Sequence, residues 1–224
     1  VAGIVAAEPD NRRGIAGVSW GASIMPLKAC GPEGACGTYE VAASIAFAAL
    51  RGAKVVNISL SGPLDGCPAE FRLAAALAET EDVLLVGSAG NSAQDGNPVM
   101  YPAACDGYVA VGATAQDDRW APFSEHGDFV DLSAPGVRVP STLPPGLVIP
   151  DDPATPGYGP ADGTSMAAPH VSGLAALLFA QHPEWTPLQV EEHMEATAVD
   201  LGKRGADDYF GAGRISIGRA LRAP

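Results

Sequence analysis

Residues 162–178 read "DGTSMAAPHVSGLAALL". A small Gly-Thr-Ser turn opens directly into an Ala-rich run that continues to His182. Ala and Leu at helical spacing favour an α-helix over 164–182. Ser165 then sits at a helix N-terminus, where unpaired backbone N–H groups and the helix dipole stabilise negative charge. Taken by itself, Thr164 or Ser165 reads as an ordinary helix cap.

Outward from this stretch, two kinds of apolar segment alternate. Short β-rich runs are "ASIMPLK" (22–28), "KVVNISL" (54–60), "DVLLVGSA" (82–89), "YVAVGAT" (108–114) and "FVDLSA" (129–134). They are nearly continuous in apolar residues, as strands covered on both faces are. Between them lie Ala-rich runs at 38–52 and 69–80. "TPLQVEEHMEATA" (186–198) adds a helix with Thr186 as N-cap and Pro187 at its first position. Alternation of this kind predicts an α/β fold, a mostly parallel sheet between two layers of helices. The Pro-rich stretch 143–162 reads as a surface loop.

The chain has 224 residues, of which 47% are hydrophobic. That suits one domain spanning 1–224, with no internal repeat and no linker. Its 27 Gly and 20 Pro are scattered through the chain, which argues for many turns and against disorder. The net charge of −13 keeps the protein soluble and repels phosphate backbones, so nucleic acid is a poor partner. No apolar run reaches the roughly 20 residues needed to span a bilayer, so no membrane partner is expected. "VAGIVAA" at the start lacks a preceding basic segment and does not read as a secretory leader. A Val start implies that something upstream has been removed or left out. The four cysteines form no CxxC pair, so no zinc site is expected. Cys30 and Cys36 flank a Gly/Pro turn, and Cys67 and Cys105 remain for a second bridge. Buried free thiols are the alternative, and an even count is compatible with a secreted or extracytoplasmic protein.

Residues 163–173, "GTSMAAPHVSG", match at every position the nucleophile motif of the subtilisin-like serine peptidases, G-T-S-M-A-A/S-P-H-V-A/S-G. "SAGN" (88–91) resembles the family's oxyanion motif, and "NISLSGP" (57–63) its pocket-wall strand, with Ser61 in place of the first Gly of a pair. "YPA" (101–103), "FSEHG" (123–127), "VDLSAPG" (130–136) and "GAGRISIGRAL" (211–221) resemble family segments in the family's order. The resemblance covers nearly the whole chain. It implies that Ser165 is the acyl-accepting nucleophile and that Asn91 donates its side-chain amide to the oxyanion. The Ser165 N–H would be the second donor, with Thr164 assisting. It implies pocket walls at Ser59, Leu60 and Ser61 and at Ser88, Ala89 and Gly90. Gly34, Ala35 and Cys36 would form an edge strand that pairs with extended substrate. Met100 falls where family members set the base of the pocket, and is expected to disfavour very large side chains.

The family's triad runs Asp, His, Ser. Here the family pattern resumes immediately after the segment expected to carry the His, so neither Asp nor His lies within the 224 residues. The domain is therefore expected to lack its N-terminal portion. His126, His170, His182 and His193 are not expected to replace the base. A complementing N-terminal segment bearing Asp and His is an expected partner, besides a peptide or protein substrate. The strand carrying the Asp belongs centrally in the sheet, so two neighbouring strands should lack a partner between them, leaving 1–224 alone unstable. No cofactor is required. A structural calcium is a family habit, with Asp10 and Asn11 as candidates in "EPDNRRG" (8–14), although Arg12 and Arg13 favour a plain solvated loop. Two other readings remain: a non-catalytic module that binds extended peptides, and a peptide ligase using the same acyl-enzyme.

Overall fold

The computed structural model describes residues 1–144 and 157–223. The elements run α1 (Ala2–Ala6), α2 (Thr38–Leu50), β1 (Val55–Ile58), β2 (Gly62–Pro63), α3 (Ala69–Thr80) and β3 (Leu84–Ser88). They continue through β4 (Met100–Tyr101), β5 (Val109–Thr114), β6 (Leu132–Pro135), β7 (Val139–Thr142) and β8 (Tyr158–Ala161) to α4 (Thr164–Gln181), α5 (Pro187–Ala196) and α6 (Ile217–Ala220).

Four strands form one parallel sheet in the order β1-β3-β5-β6. Alternate residues of a strand face opposite sides, and β3 shows the result. Leu84 and Val86 enter the core shared with α4 and α5, while Leu85 enters the core beneath α2 and α3. The architecture is three-layered, α/β/α, as the alternation of runs predicts. Thr186 and Gln189 close a reciprocal capping box at the start of α5.

Two expectations need correction. Residues 22–28 do not join the sheet: none pairs in a ladder, and Ile24, Met25 and Leu27 are exposed. A strand requires a partner for its backbone, and β-propensity alone does not supply one. A cleft of about 1180 Å³ separates this segment from β1, whose second edge carries no strand among the described residues. Its walls include Ile24 and Leu27 on one side, Val55 on the other, and Ile45 and Phe179 from the helices. The stretch 143–162 is not all loop: 158–161 pairs antiparallel with β7, and 145–156 lies outside the described residues.

Both possible bridges form, Cys30 with Cys36 and Cys67 with Cys105. Among the described residues, no helix is long and apolar enough to cross a membrane.

Candidate active site

The C-terminal ends of β1 and β3 and the N-terminus of α4 meet at one edge of the sheet, the usual place for a site in an open parallel sheet. Gly163, at φ +142°, turns the chain into α4 without a side-chain cap. Thr164 is fully buried just inside the helix. Its hydroxyl accepts the Gly90 N–H at 3.1 Å and donates to Asn91 Oδ1 at 3.1 Å, while its own N–H donates to Asn91 Oδ1 at 2.8 Å. A backbone N–H is always a donor, so the Asn91 atom facing it is the oxygen. The Asn91 Nδ2 is thereby turned away from Thr164 and has no hydrogen-bond partner among the described residues.

Ser165 follows, half-buried at the mouth of α4. Its N–H has no intrahelical acceptor, as expected for the first turn. Its hydroxyl donates to the Ser59 carbonyl at 3.3 Å, and the Ser59 hydroxyl donates to the Ser165 carbonyl at 3.0 Å. Ser59 is held by Asn57, whose Nδ2 donates to Ser59 Oγ at 2.8 Å. Asn57 Oδ1 in turn accepts from Ser172 on α4 at 3.0 Å. Asn57 and Ser172 were not singled out by sequence. Their signal was a polar Asn at an inward position of an apolar strand, which demands a buried partner.

Ser88, Ala89 and Gly90 are buried at the end of β3, and Ser59, Leu60 and Ser61 follow β1 half-buried. Met100, 8% exposed, lies in β4, which pairs with β2 just beyond Ser61. Met100 also packs against Gly90: a Cβ there would stand 2.7 Å from Met100 Cγ. Gly34, Ala35 and Cys36 do not form the expected edge strand. They close a disulfide turn with a single bridge at Cys30 and Cys36, and the Ala35 carbonyl already accepts the Gly31 N–H at 2.8 Å. The short loop cannot both turn back on Cys30 and stay extended.

None of the four histidines hydrogen-bonds Ser165, whose hydroxyl is paired with the Ser59 carbonyl. His170 Nδ1 bonds to the Met166 carbonyl at 2.9 Å, and burial lowers its pKa. His193 bonds to the Ala220 carbonyl at 2.9 Å, His182 stacks on Trp185, and His126 pairs with Asn97. Asp10 and Asn11 lie in the exposed loop 8–14. Asn11 Oδ1 accepts the Arg13 N–H at 2.9 Å. Among the described residues, the one group of three acidic, His or Cys side chains close enough to share an ion is Asp131, Glu191 and Glu195, away from this site.

The sequence profile of the subtilase family matches residues 1–213. The chain belongs to the subtilase family. It is 35% identical over 222 residues to subtilisin BL of Lederbergia lenta, covering 99% of this chain and 76% of that protein. It is 37% identical over 225 residues to subtilisin J of Geobacillus stearothermophilus, covering 99% of this chain and 55% of the relative. Fervidolysin from Fervidobacterium pennivorans, a keratinolytic enzyme related to subtilisin, superposes with a TM-score of 0.87 at 37% identity. That match covers 100% of this chain and 35% of the other. By family, this subtilase chain is a serine endopeptidase with the subtilisin-like three-layer architecture.

Proposed function

We propose that this subtilase chain bears the nucleophile and oxyanion hole of a peptide-bond hydrolase, and that a segment outside its 224 residues supplies the general base and its Asp partner. The observation that supports this most is the Thr164 clamp on Asn91. Asn91 Oδ1 is held by Thr164, the residue before Ser165, and its Nδ2 has no hydrogen-bond partner among the described residues, which leaves it available as a donor.

In this reading a base withdraws the Ser165 proton as Oγ attacks the substrate carbonyl carbon. The carbonyl oxygen becomes an oxyanion between Asn91 Nδ2 and the Ser165 N–H. Collapse expels the amine, which takes up the proton, and leaves an acyl-enzyme that water hydrolyses. Without a base, Ser165 remains a neutral hydroxyl, and loss of the His in a subtilisin costs about 10⁶ in kcat. Peptide or protein substrate would lie along Ser59, Leu60 and Ser61 on one wall and Ser88, Ala89 and Gly90 on the other, with Met100 at the base of the pocket. The open edge of β1 and the apolar cleft beside 22–28 give a complementing segment a place to pair. No cofactor enters these steps. Two disulfides suit a secreted or extracytoplasmic protein.

A fluorophosphonate probe tests this. Ser165 is expected to be labelled when the segment carrying Asp and His is present and not in residues 1–224 alone. Absence of labelling in both preparations overturns the proposal.

A further inference from the structure

Glu125 takes no part in the chemistry above, yet its burial is complete: none of its surface is exposed. A buried carboxyl group is costly unless its hydrogen bonds are made. Oε1 accepts the Ser92 N–H at 2.7 Å. Oε2 is buried with no hydrogen-bond partner. The backbone N–H of Glu125 donates to the Gly90 carbonyl at 3.2 Å. The Gly90 carbonyl and the Ser92 N–H belong to the two peptide groups on either side of Asn91.

We propose that Glu125 is a positioning residue for Asn91, gripping both flanking peptide groups so that the Asn91 amide is presented to the oxyanion. This rests on the reading of Asn91 as an oxyanion donor. Thr164 fixes the Asn91 side chain from one side, and Glu125 fixes its backbone from the other. The close packing supports it: a Cβ on Gly90 would stand 2.4 Å from Glu125 Oε2 and 2.7 Å from its Cδ. The carboxyl group thus lies directly against the Gly90 Cα, and Gly90, at φ +118°, also needs a conformation that L side chains rarely adopt. Burial pushes the Glu125 carboxyl pKa up and the nearby Asp95 charge adds to this, while the Ser92 N–H pulls it back. The grip requires only an acceptor at Oε1, which an amide also provides.

The test uses the full-length protein and a chromogenic peptide. Glu125→Ala is expected to lower kcat about tenfold with KM within about twofold, because a displaced oxyanion donor weakens transition-state binding alone. Glu125→Gln is expected to keep kcat within about threefold of wild type. Glu125→Asp, which keeps the carboxyl group but withdraws the acceptor, is expected to behave as Ala does, and serves if the Ala variant does not fold. In an Asn91→Ala background, Glu125→Ala is expected to cost less than about twofold, since its effect runs through Asn91. Amide exchange at Ser92 is expected to speed up in Ala and Asp variants and stay slow in Gln. Equal losses in both backgrounds, or a Gln variant as poor as Ala, overturn the proposal. If the wild type cleaves no peptide, the peptidase reading fails, and Ser92 exchange still decides whether Glu125 holds the loop.

Discussion

Ser59 and Ser165 exchange two hydrogen bonds, hydroxyl to carbonyl in each direction. The cause is Pro169. In an α-helix the N–H of residue i bonds the carbonyl of i−4, and proline has no N–H. Pro169 lies inside α4, four residues after Ser165. It leaves the Ser165 carbonyl without a helical donor, and Ser59 fills the place. Ser59→Ala is therefore expected to cost about 1 kcal/mol of stability. In a Pro169→Ala background, whose restored N–H can bond the Ser165 carbonyl, the same change should cost less than half of that. Urea unfolding of the four proteins measures the coupling. Equal costs in both backgrounds refute the account.

Thr164 is expected to act through Asn91. Thr164→Val keeps the shape but removes the acceptor for the Gly90 N–H and one of two donors to Asn91 Oδ1. An unpaired buried N–H costs about 1–3 kcal/mol. Thr164→Ser keeps the hydroxyl and is expected to stay near wild type. In the full-length protein Asn91→Ala should lower kcat by the ~10²–10³ seen on removing this donor from a subtilisin. Thr164→Val should show a smaller loss in kcat with little change in KM. A Val variant that changes KM alone contradicts the clamp.

Met100, buried against Gly90, is expected to limit the pocket. Cleavage after Ala should exceed cleavage after Trp in kcat/KM, and Met100→Ala should narrow the difference. One extra or missing methylene in an apolar pocket is worth about 1–3 kcal/mol. Equal rates after Ala and Trp in the wild type remove Met100 from this role.

Asp131, Glu191 and Glu195 make stability depend on pH. Burial raises Asp131 to about 6 from 3.8, and raises Glu191 to about 7 from 4.5 with added repulsion from Asp131. Between the unfolded and folded values the folded protein holds more protons, so stability falls as pH rises through that window. It levels off above about 7. The intact protein should thus melt lower at pH 8 than at pH 5 from this cluster. Glu191→Gln should gain about 1 kcal/mol at pH 8 and little at pH 4, where Glu is mostly protonated in both states. A gain that is equal at both pH values excludes the cluster as its source.

The helices and buried strands were legible because their signals are local. "TPLQ" spells the capping box at Thr186 and Gln189, and the apolar run 82–89 is long enough to need cover on both faces. The pairs β2–β4 and β7–β8 were not legible. Their strands are two to four residues long and pair with distant segments, so no periodicity develops. The nucleophile and its amide partner could be found from "GTSM" and "SAGN". Glu125 could not, because an acidic residue in a polar stretch reads as solvated, and only the fold reveals that it lies beneath Gly90. Gly34, Ala35 and Cys36 lie in a turn rather than the expected strand, because the disulfide from Cys36 to Cys30 closes the loop there.

The run 22–28 failed as a strand for a reason that has a consequence. Ile24 is 47% exposed, Met25 42% and Leu27 37%, and they border a cleft whose far wall is the open edge of β1. An apolar segment beside an unpaired edge buries too little surface to hold itself in place and invites pairing with other chains. Residues 1–224 alone are therefore expected to melt over a broad range, bind a hydrophobic dye and associate at rising concentration. Adding a segment that pairs with β1 and fills the cleft should sharpen the melt and release the dye. The two effects should occur together, since the same apolar surface is covered in each. A sharp two-state melt of residues 1–224 without dye binding would show that the cleft closes on its own.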